Sequence, residues 1–174
     1  MTVRSRSQDD PGESAITRAW IEHAGVGSAA AAELETIYAE AGREIARRGP
    51  ACWASGRCCN FAKAGHRLYV TGLEAAYCVA RLTPPMTLTV EGNRLAREGG
   101  GCPFQVANLC GVHGIKPLGC RVYLCDRSAP GGPGEWPERL LTEIRGVHDR
   151  HGLGYRYGEW REMLERVGAA AWGD

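Results

Sequence analysis

Seven of the eight cysteines in this 174-residue chain lie in two short stretches, GPACWASGRCCNF and GGCPFQVANLCGVHGIKPLGCRVYLCD. They are Cys52, Cys58 and Cys59 in the first stretch and Cys102, Cys110, Cys120 and Cys125 in the second. Clustering of this kind indicates either disulfides or a metal site. Thiolate is the soft ligand that zinc and iron–sulfur clusters prefer, and four thiolates complete one tetrahedral ion or one cluster.

The start of the chain favours a metal over disulfides. The segment MTVRSRSQDDPGES carries charges but lacks the apolar stretch of a secretory signal, and no run of about 18 apolar residues occurs elsewhere. We therefore expect a cytoplasmic protein without a membrane-spanning helix. Persistent disulfides are rare in that reducing compartment, where clustered thiols more often hold a metal.

The overall charge argues against polyanionic partners. The chain has 21 basic and 20 acidic residues and a formal net charge of +1, so we expect neither nucleic acid nor an anionic membrane as a partner. Hydrophobic residues make up 44% of the chain, but many of them are small alanines. We expect a thin core, to which a bound metal ion would add stability.

The thiols differ in how well they fit the role of a ligand. Because consecutive side chains of an extended chain diverge, Cys58 and Cys59 reach one small ion only through a special turn, or else serve a larger cluster. Cys102 precedes a proline and Cys110 a glycine, and such turns let backbone amides point at sulfur. The alternative for each thiol is an ordinary buried cysteine. The predicted ligands, in decreasing order of preference, are Cys58, Cys102, Cys110 and Cys120, then Cys59 and Cys52, then Cys125.

Helices are predicted on the N-terminal side of the cysteines. The clearest helix spans residues 28–48: it begins at Ser28, carries apolar residues at spacings of three and four, and ends at Gly49-Pro50. A shorter helix over residues 15–24 is predicted before it, with Ser14 as its N-cap.

A short extended segment over residues 66–72 follows the first cysteine stretch. Thr71 is a predicted N-cap with Glu74 as its capping-box partner, and we prefer this role for Glu74 over one in the site. The helix 72–82 comes next. Cys78 lies among apolar residues of this helix and is predicted to be a core residue rather than a ligand.

The remaining segments are less regular. Residues 87–100 are predicted to form a short extended piece and a helical turn, 99–131 a loop, and 128–137 a turn-rich linker. Two amphipathic helices, over 135–152 and 158–170, close the chain. A loop this long is uncommon unless something organises it, and a metal would do so.

These patterns predict a mainly α fold: a small helical domain with an irregular, cysteine-rich middle organised by metal and at most short strands. Residues 1–12 are expected to form a flexible tail and 13–174 a single domain. Within it, a metal-binding core would cover about 50–126 and C-terminal helices about 136–170.

The order of the cysteines resembles that of the YkgJ-type cysteine-cluster family, a zinc- or iron-chelating domain, over roughly residues 50–125. That family carries C-x2-C-x2-C-C, then Cys-Pro-Phe, then R-P-x2-C-R-x-(Y/F). The counterparts here are Cys52-x2-Ser55-x2-Cys58-Cys59, Cys102-Pro103-Phe104, Cys110, and Lys116-Pro117-x2-Cys120-Arg121-x-Tyr123.

Two departures from the family pattern bear on the site. Lys116 stands where the family usually has arginine, and Ser55 where it has its second cysteine; a hydroxyl is a poor ligand for a soft metal. The site would then use fewer thiolates, lose one ion of a pair or have changed in function, unless Cys125 compensates. The resemblance implies metal binding but no particular reaction. Similar motifs in flagellin lysine methylases imply an iron–sulfur cluster beside methyl transfer.

Other polar side chains are assigned simpler roles. His113 could complete a Cys3His site but is expected to pack in the loop, and His66 is expected at the surface. His23, His148 and His151 are expected to be solvated. Arg121 would either donate hydrogen bonds to sulfur or an anionic partner, or form an ordinary ion pair. The run Gly99-Gly100-Gly101 lacks the frame of a phosphate loop and is predicted to give backbone freedom beside Cys102.

Three functions are compatible with these residues. The first is a metal or redox module that holds zinc or an iron–sulfur cluster, with iron slightly favoured because the thiols outnumber the ligands of one zinc ion. The second is an enzyme, either one that uses a free low-pKa cysteine such as Cys59 or Cys52 or a cluster-assisted one, for example accessory to methyl transfer. No histidine base is placed convincingly beside either thiol. The third is a structural zinc module that presents a surface for an unidentified protein.

Overall fold

The computed structural model describes residues 11–49, 55–123 and 135–172, and helices dominate these ranges. The helices are α1 (Pro11–His23), α2 (Ala29–Arg48), α3 (Phe61–Ala64), α4 (Gly72–Ala80), α5 (Val90–Glu98), α6 (Leu118–Val122), α7 (Trp136–Arg150) and α8 (Trp160–Trp172). The strands are β1 (Tyr69–Thr71), β2 (Gln105–Val106), β3 (Leu109–Cys110) and β4 (Tyr157–Glu159). The predicted fold class, mainly helical with only short strands, is confirmed.

The boundaries of α2 follow from its caps. The Ser28 hydroxyl accepts a hydrogen bond from the Ala31 amide at 3.1 Å, which satisfies one of the free N–H groups of the first turn. Gly49 ends the helix in the left-handed region, with φ of 62°. The predicted helix over residues 28–48 is therefore confirmed, and its apolar face, which includes Leu34 and Ile37, is buried.

The capping box predicted for α4 is also present. The Thr71 hydroxyl accepts from the Glu74 amide, and the Glu74 carboxylate accepts from the Thr71 amide at 2.9 Å. Cys78 has no exposed surface and packs in the core, as predicted.

Two short antiparallel sheets position the ends of these helices. Strand β1 pairs with β4, with Tyr69 opposite Glu159, and the Trp160 amide donates to the Leu68 carbonyl at 2.8 Å. The pairing joins the start of α4 to the start of α8. Strand β4 was not predicted, because three residues with a central glycine carry no readable alternation.

The core lies between the long helices. Helix α1 packs on α4 and α8, α4 packs on α8, and α2 packs on α7. The largest fully buried apolar side chains are Trp20, Leu34, Val70, Leu73, Phe104, Leu140, Ile144, Val147, Trp160 and Leu164. The Trp20 indole donates to the Gly154 carbonyl at 2.8 Å, so this buried ring keeps its hydrogen bond.

Several predicted boundaries were wrong. Helix α1 begins at Pro11, a residue suited to the first helical position, so Ser14 lies inside the helix and does not cap it. Residues 87–100 contain the helix α5, capped by Thr89, rather than an extended piece and a single turn. The linker predicted over residues 128–137 and the tail predicted over residues 1–12 lie mostly outside the described residues, but Pro11 and Gly12 belong to α1 rather than to a flexible tail.

The three histidines predicted to be solvated are more buried than expected. His148 has no exposed surface, because it lies one turn beyond Ile144 on the packed face of α7. His23 and His151 are half-buried, and His151 Nε2 lies 2.8 Å from a Glu33 carboxylate oxygen. Within the described ranges, no helix has both the length and the apolar character needed to cross a membrane.

Candidate metal centre

The adjacent pair Cys58 and Cys59 lies on a 3₁₀ turn, Arg57–Cys59. Because this turn replaces extended chain, the two sulfur atoms converge to 3.9 Å instead of diverging. The turn starts from Gly56, which has φ of 70°. A Cβ at Gly56 would lie 2.4 Å from Gln105 Nε2, so only glycine fits this approach to β2.

Strands β2 and β3 form a tight hairpin that presents Cys110 beside the turn. Ala107 and Asn108 both have positive φ, 46° and 68°, which is the conformation of a type I′ loop. Cys110 pairs with Gln105 across the hairpin. The Gln105 amide donates to the Cys102 carbonyl at 3.2 Å, so the same hairpin also fixes the position of Cys102.

The two predicted cysteine stretches therefore meet, and Cys59 is the residue that joins them. Its sulfur lies 3.9 Å from that of Cys58, and its thiol interacts with those of Cys102 and Cys110. These interactions raise the pKa of Cys59 above its ordinary value, which favours its neutral form. We call Cys58, Cys59, Cys102 and Cys110 the thiol cluster.

Two members of the thiol cluster are stabilised as thiolates. The hydrogen bond from Cys59 lowers the pKa of Cys102, against desolvation, and the Phe104 amide lowers it further. The hydrogen bond from Cys59, aided by the Val112 amide and the Lys116 charge, lowers the pKa of Cys110 to about 6. Backbone amides and a nearby cation are the groups that stabilise sulfur anions.

Trp160 adds a donor that sequence reasoning missed. This residue begins α8, has no exposed surface, and its indole N–H lowers the pKa of Cys102. The indole nitrogen is buried and has no partner at hydrogen-bonding geometry in the described part of the chain. A buried N–H without such a partner is costly, and negative charge on the Cys102 sulfur would offset that cost. The nearest sequence signal would have been the tryptophan at the start of an amphipathic helix, which does not reveal its partner.

Cys120 and Cys78 lie behind the thiol cluster. Burial raises the pKa of both thiols, and negative charge on Cys102 and Cys110 raises it further. Cys120 is half-buried as a residue, but its sulfur is desolvated. Of the four preferred ligands, Cys58, Cys102 and Cys110 thus share direct contacts through Cys59, whereas Cys120 interacts with the cluster only at electrostatic range.

Glu74 anchors the helix that carries Cys120. Beyond its capping box, the buried carboxylate accepts hydrogen bonds from the Leu118 amide at 2.8 Å and from the Tyr38 hydroxyl at 3.1 Å. Burial raises its pKa, and these hydrogen bonds oppose the rise. The residue predicted only as a cap also ties α6 to α2 and α4.

Arg121 holds the loop before α6 rather than the sulfur atoms. Its guanidinium donates to the carbonyls of Lys116, at 2.9 Å, and Gly114, at 2.8 Å, and lies 4.2 Å from the centre of the Tyr38 ring. The hydrogen bonds to sulfur considered for Arg121 are not among these contacts. It fixes the loop that carries the Lys116 charge beside Cys110.

The remaining predicted residues fall in different places. Cys52 and Cys125 lie outside the described residues. His113 is exposed, and His66 is half-buried rather than at the surface, because its ring stacks on Tyr123 with centroids 4.0 Å apart. Gly100 has φ of 72°, which confirms the backbone freedom predicted beside Cys102.

Within residues 11–49, 55–123 and 135–172, no three histidine, cysteine or acidic side chains are arranged as a preformed metal site. The thiols of Cys58, Cys102 and Cys110 each interact with that of Cys59. No protein-family model, curated protein or solved structure matches this chain. The resemblance to the YkgJ-type family therefore stays a prediction.

Proposed function

We propose that the protein is a metal-binding module in which the thiol cluster holds one metal ion, with zinc as the best fit. The observation that carries the proposal is the interaction of the Cys59 thiol with those of Cys102, Cys110 and Cys58. Together these residues supply four thiols from two separated stretches, and four is the ligand number of a structural zinc site.

The separation of the sulfur atoms favours a single ion. With Zn–S bonds of about 2.3 Å, two ligands of a tetrahedral site lie about 3.8 Å apart. The sulfurs of Cys58 and Cys59 are separated by 3.9 Å. In an iron–sulfur cube each thiolate binds a different iron and the thiolates are further apart, so this geometry weighs against the preference for iron drawn from the number of thiols.

The surroundings of the thiol cluster suit a negatively charged tetrathiolate. The Phe104 and Val112 amides, the Trp160 indole and the Lys116 ammonium all favour the ionised form of Cys102 or Cys110. Donors of this kind orient and stabilise thiolate ligands around a metal. Metal binding would displace the protons of those cluster thiols that are neutral without it.

Metal analysis tests the proposal directly. Protein purified without oxygen and without added metal is expected to contain one zinc per chain. Cys102→Ser should lose the zinc, whereas Cys78→Ala, which removes a thiol fully buried behind the cluster, should keep it. Iron with an equivalent of inorganic sulfide would replace zinc with a cluster in the same site, and absence of metal from every preparation would reject the proposal.

The same preparations separate the two alternative functions. A thiol-based enzyme predicts one rapidly alkylated cysteine whose reactivity does not change with chelator, whereas a metal site predicts uniform protection that chelator removes. A purely structural zinc module predicts that Cys102→Ser is unfolded. A functional metal site predicts that this variant stays folded without metal.

A further inference from the structure

A basic cleft is lined in part by residues that are close to the thiol cluster in the chain, namely Phe61 and Ala62 after Cys59 and Gly100 before Cys102. Its volume is about 430 Å³, and its charged lining consists of Arg67, Arg97 and Arg161, with no acidic side chain. The cleft is built on the contact that joins the stretches, since the Ala62 amide donates to the Gly100 carbonyl at 2.9 Å. Its place in the fold is therefore fixed by the same segments that place Cys59 and Cys102.

Arg161 is held in one orientation by three neighbours. Its Nε donates to Glu159 at 2.8 Å, its Nη1 donates to the Gly101 carbonyl at 3.3 Å, and its guanidinium lies 5.0 Å from the centre of the Phe61 ring. The side chain is only 13% exposed. The Nη2 amine has no partner among the described residues, which leaves two N–H donors on a guanidinium that needs no further ordering.

The other two arginines differ in how their charge is balanced. Arg97 forms ion pairs with Glu165 and Glu162 on α8, so its charge is compensated from behind. Arg67 is exposed and forms no ion pair with any described residue. The cleft thus combines two pre-positioned guanidinium groups with one uncompensated positive charge.

From this arrangement we infer a second binding site, for a small molecule that carries a phosphate or carboxylate group. Guanidinium groups bind both oxyanions through paired N–H donors. The volume of the cleft lies within the range of small-ligand sites, and a formal net charge of +1 does not favour nucleic acid as the ligand. Arg67 supplies the net positive charge that attracts the anion, while Arg97 and Arg161 supply guanidinium groups in fixed positions.

Calorimetric titration of the metal-loaded full-length protein tests the site, with inorganic phosphate and malonate as separate probes. Arg67→Gln should weaken binding of the better probe by about tenfold or more, because it removes a charged hydrogen-bond partner. The matched control is Arg18→Gln, which removes an exposed arginine of α1 remote from the cleft. Arg97→Gln provides a second variant within the site.

Binding that both cleft variants weaken and Arg18→Gln leaves unchanged supports the site, and the probe that binds more tightly identifies the group. No binding of either anion, or equal weakening by Arg18→Gln, overturns it. The metal content of each variant is measured in parallel. Loss of the anion site with metal retained is then distinct from failure of the proposed metal centre.

Discussion

The helical frame and the cysteine stretches are stabilised by different interactions. The frame, made of α1, α2, α4, α7 and α8, buries large apolar side chains such as Leu34, Leu140 and Leu164. The stretches 55–64 and 100–123 contain mainly a 3₁₀ turn, a two-residue hairpin and helices of four or five residues. Individual side chains of these stretches, such as Phe61 and Phe104, are buried, but the regular elements are short, so we expect their order to depend also on hydrogen bonds and on sulfur. We therefore expect the order of the helical frame to be insensitive to metal removal and the order of the cysteine stretches to be sensitive to it.

Metal removal should produce the largest effect and should separate the behaviour of the helical frame from that of the cysteine stretches most clearly. Structural zinc contributes about 10–16 kcal/mol in small zinc-binding peptides, so chelation should release much of the order in residues 100–123. Amide hydrogen exchange before and after chelation would measure this, with α2 and α7 as internal controls. Equal loss of protection in α7 and in the hairpin would contradict the division.

Leu140→Ala should break the frame without touching the thiol cluster. Leu140 has no exposed surface on α7, and truncation of such a side chain costs about 2–5 kcal/mol through lost burial and a residual cavity. The loss of unfolding free energy is measured by denaturant titration with circular dichroism as the readout. Leu141→Ala, at the half-buried neighbouring position, should cost less. Zinc stoichiometry should stay at one in both variants.

Gly56→Ala should loosen the turn that carries the paired thiols. Gly56 and Gly65 have nearly the same φ, 70° and 69°, so alanine at either position pays about 1–2 kcal/mol of backbone strain. Only at Gly56 does the added Cβ collide, with Gln105 Nε2 and the Asn108 backbone. Gly56→Ala should therefore destabilise more than Gly65→Ala and should also weaken zinc affinity, which competition with a chromophoric chelator measures.

Glu74→Gln should change how stability depends on pH. Burial raises the pKa of Glu74 in the folded protein, so between its unfolded and folded pKa values the folded state binds more protons. Its contribution is fully present below the unfolded pKa and is lost as pH rises through the folded pKa. The free energy of unfolding of wild type minus variant should therefore fall over that interval.

Glu33→Gln provides a control of opposite sign for this pH experiment. Hydrogen bonds from His151 and then Arg150 lower the pKa of Glu33, so its contribution is lost as pH falls through the folded pKa. The wild-type-minus-variant difference for Glu33 should rise with pH below the unfolded carboxyl pKa, whereas the difference for Glu74 should fall with pH above it. A difference of the same sign for both positions would refute the assignment for Glu74.

The sequence was sufficient where a local rule determines the structure. Helix caps depend on residues that are neighbours in the sequence, so the ends of α2 and the start of α4 could be predicted from Ser28, Gly49 and the Thr71–Glu74 box. The approach of the two cysteine stretches was expected from residue type alone, since clustered thiols require a common reason to occur together.

The sequence was insufficient where a contact joins distant residues. The hairpin loop Ala107-Asn108 lacks the glycine that usually marks a type I′ turn, and the 3₁₀ turn under Cys58 has no periodic pattern. The contact of the Trp160 indole with Cys102 depends on the pairing of β1 with β4, which three-residue strands do not reveal. These contacts join residues that are distant in the sequence, so local secondary-structure propensity could not predict them.

The order of the thiol cluster and Trp160 along the chain has a consequence for biosynthesis. Cys58, Cys59, Cys102 and Cys110 leave the ribosome before Trp160, so a nascent chain exposes these thiols before the indole has been synthesised. The surroundings of Cys102 are complete only after β4 and the first turn of α8 have been synthesised. We therefore expect the cluster thiols of a chain truncated before residue 157 to oxidise more readily than those of the 174-residue chain.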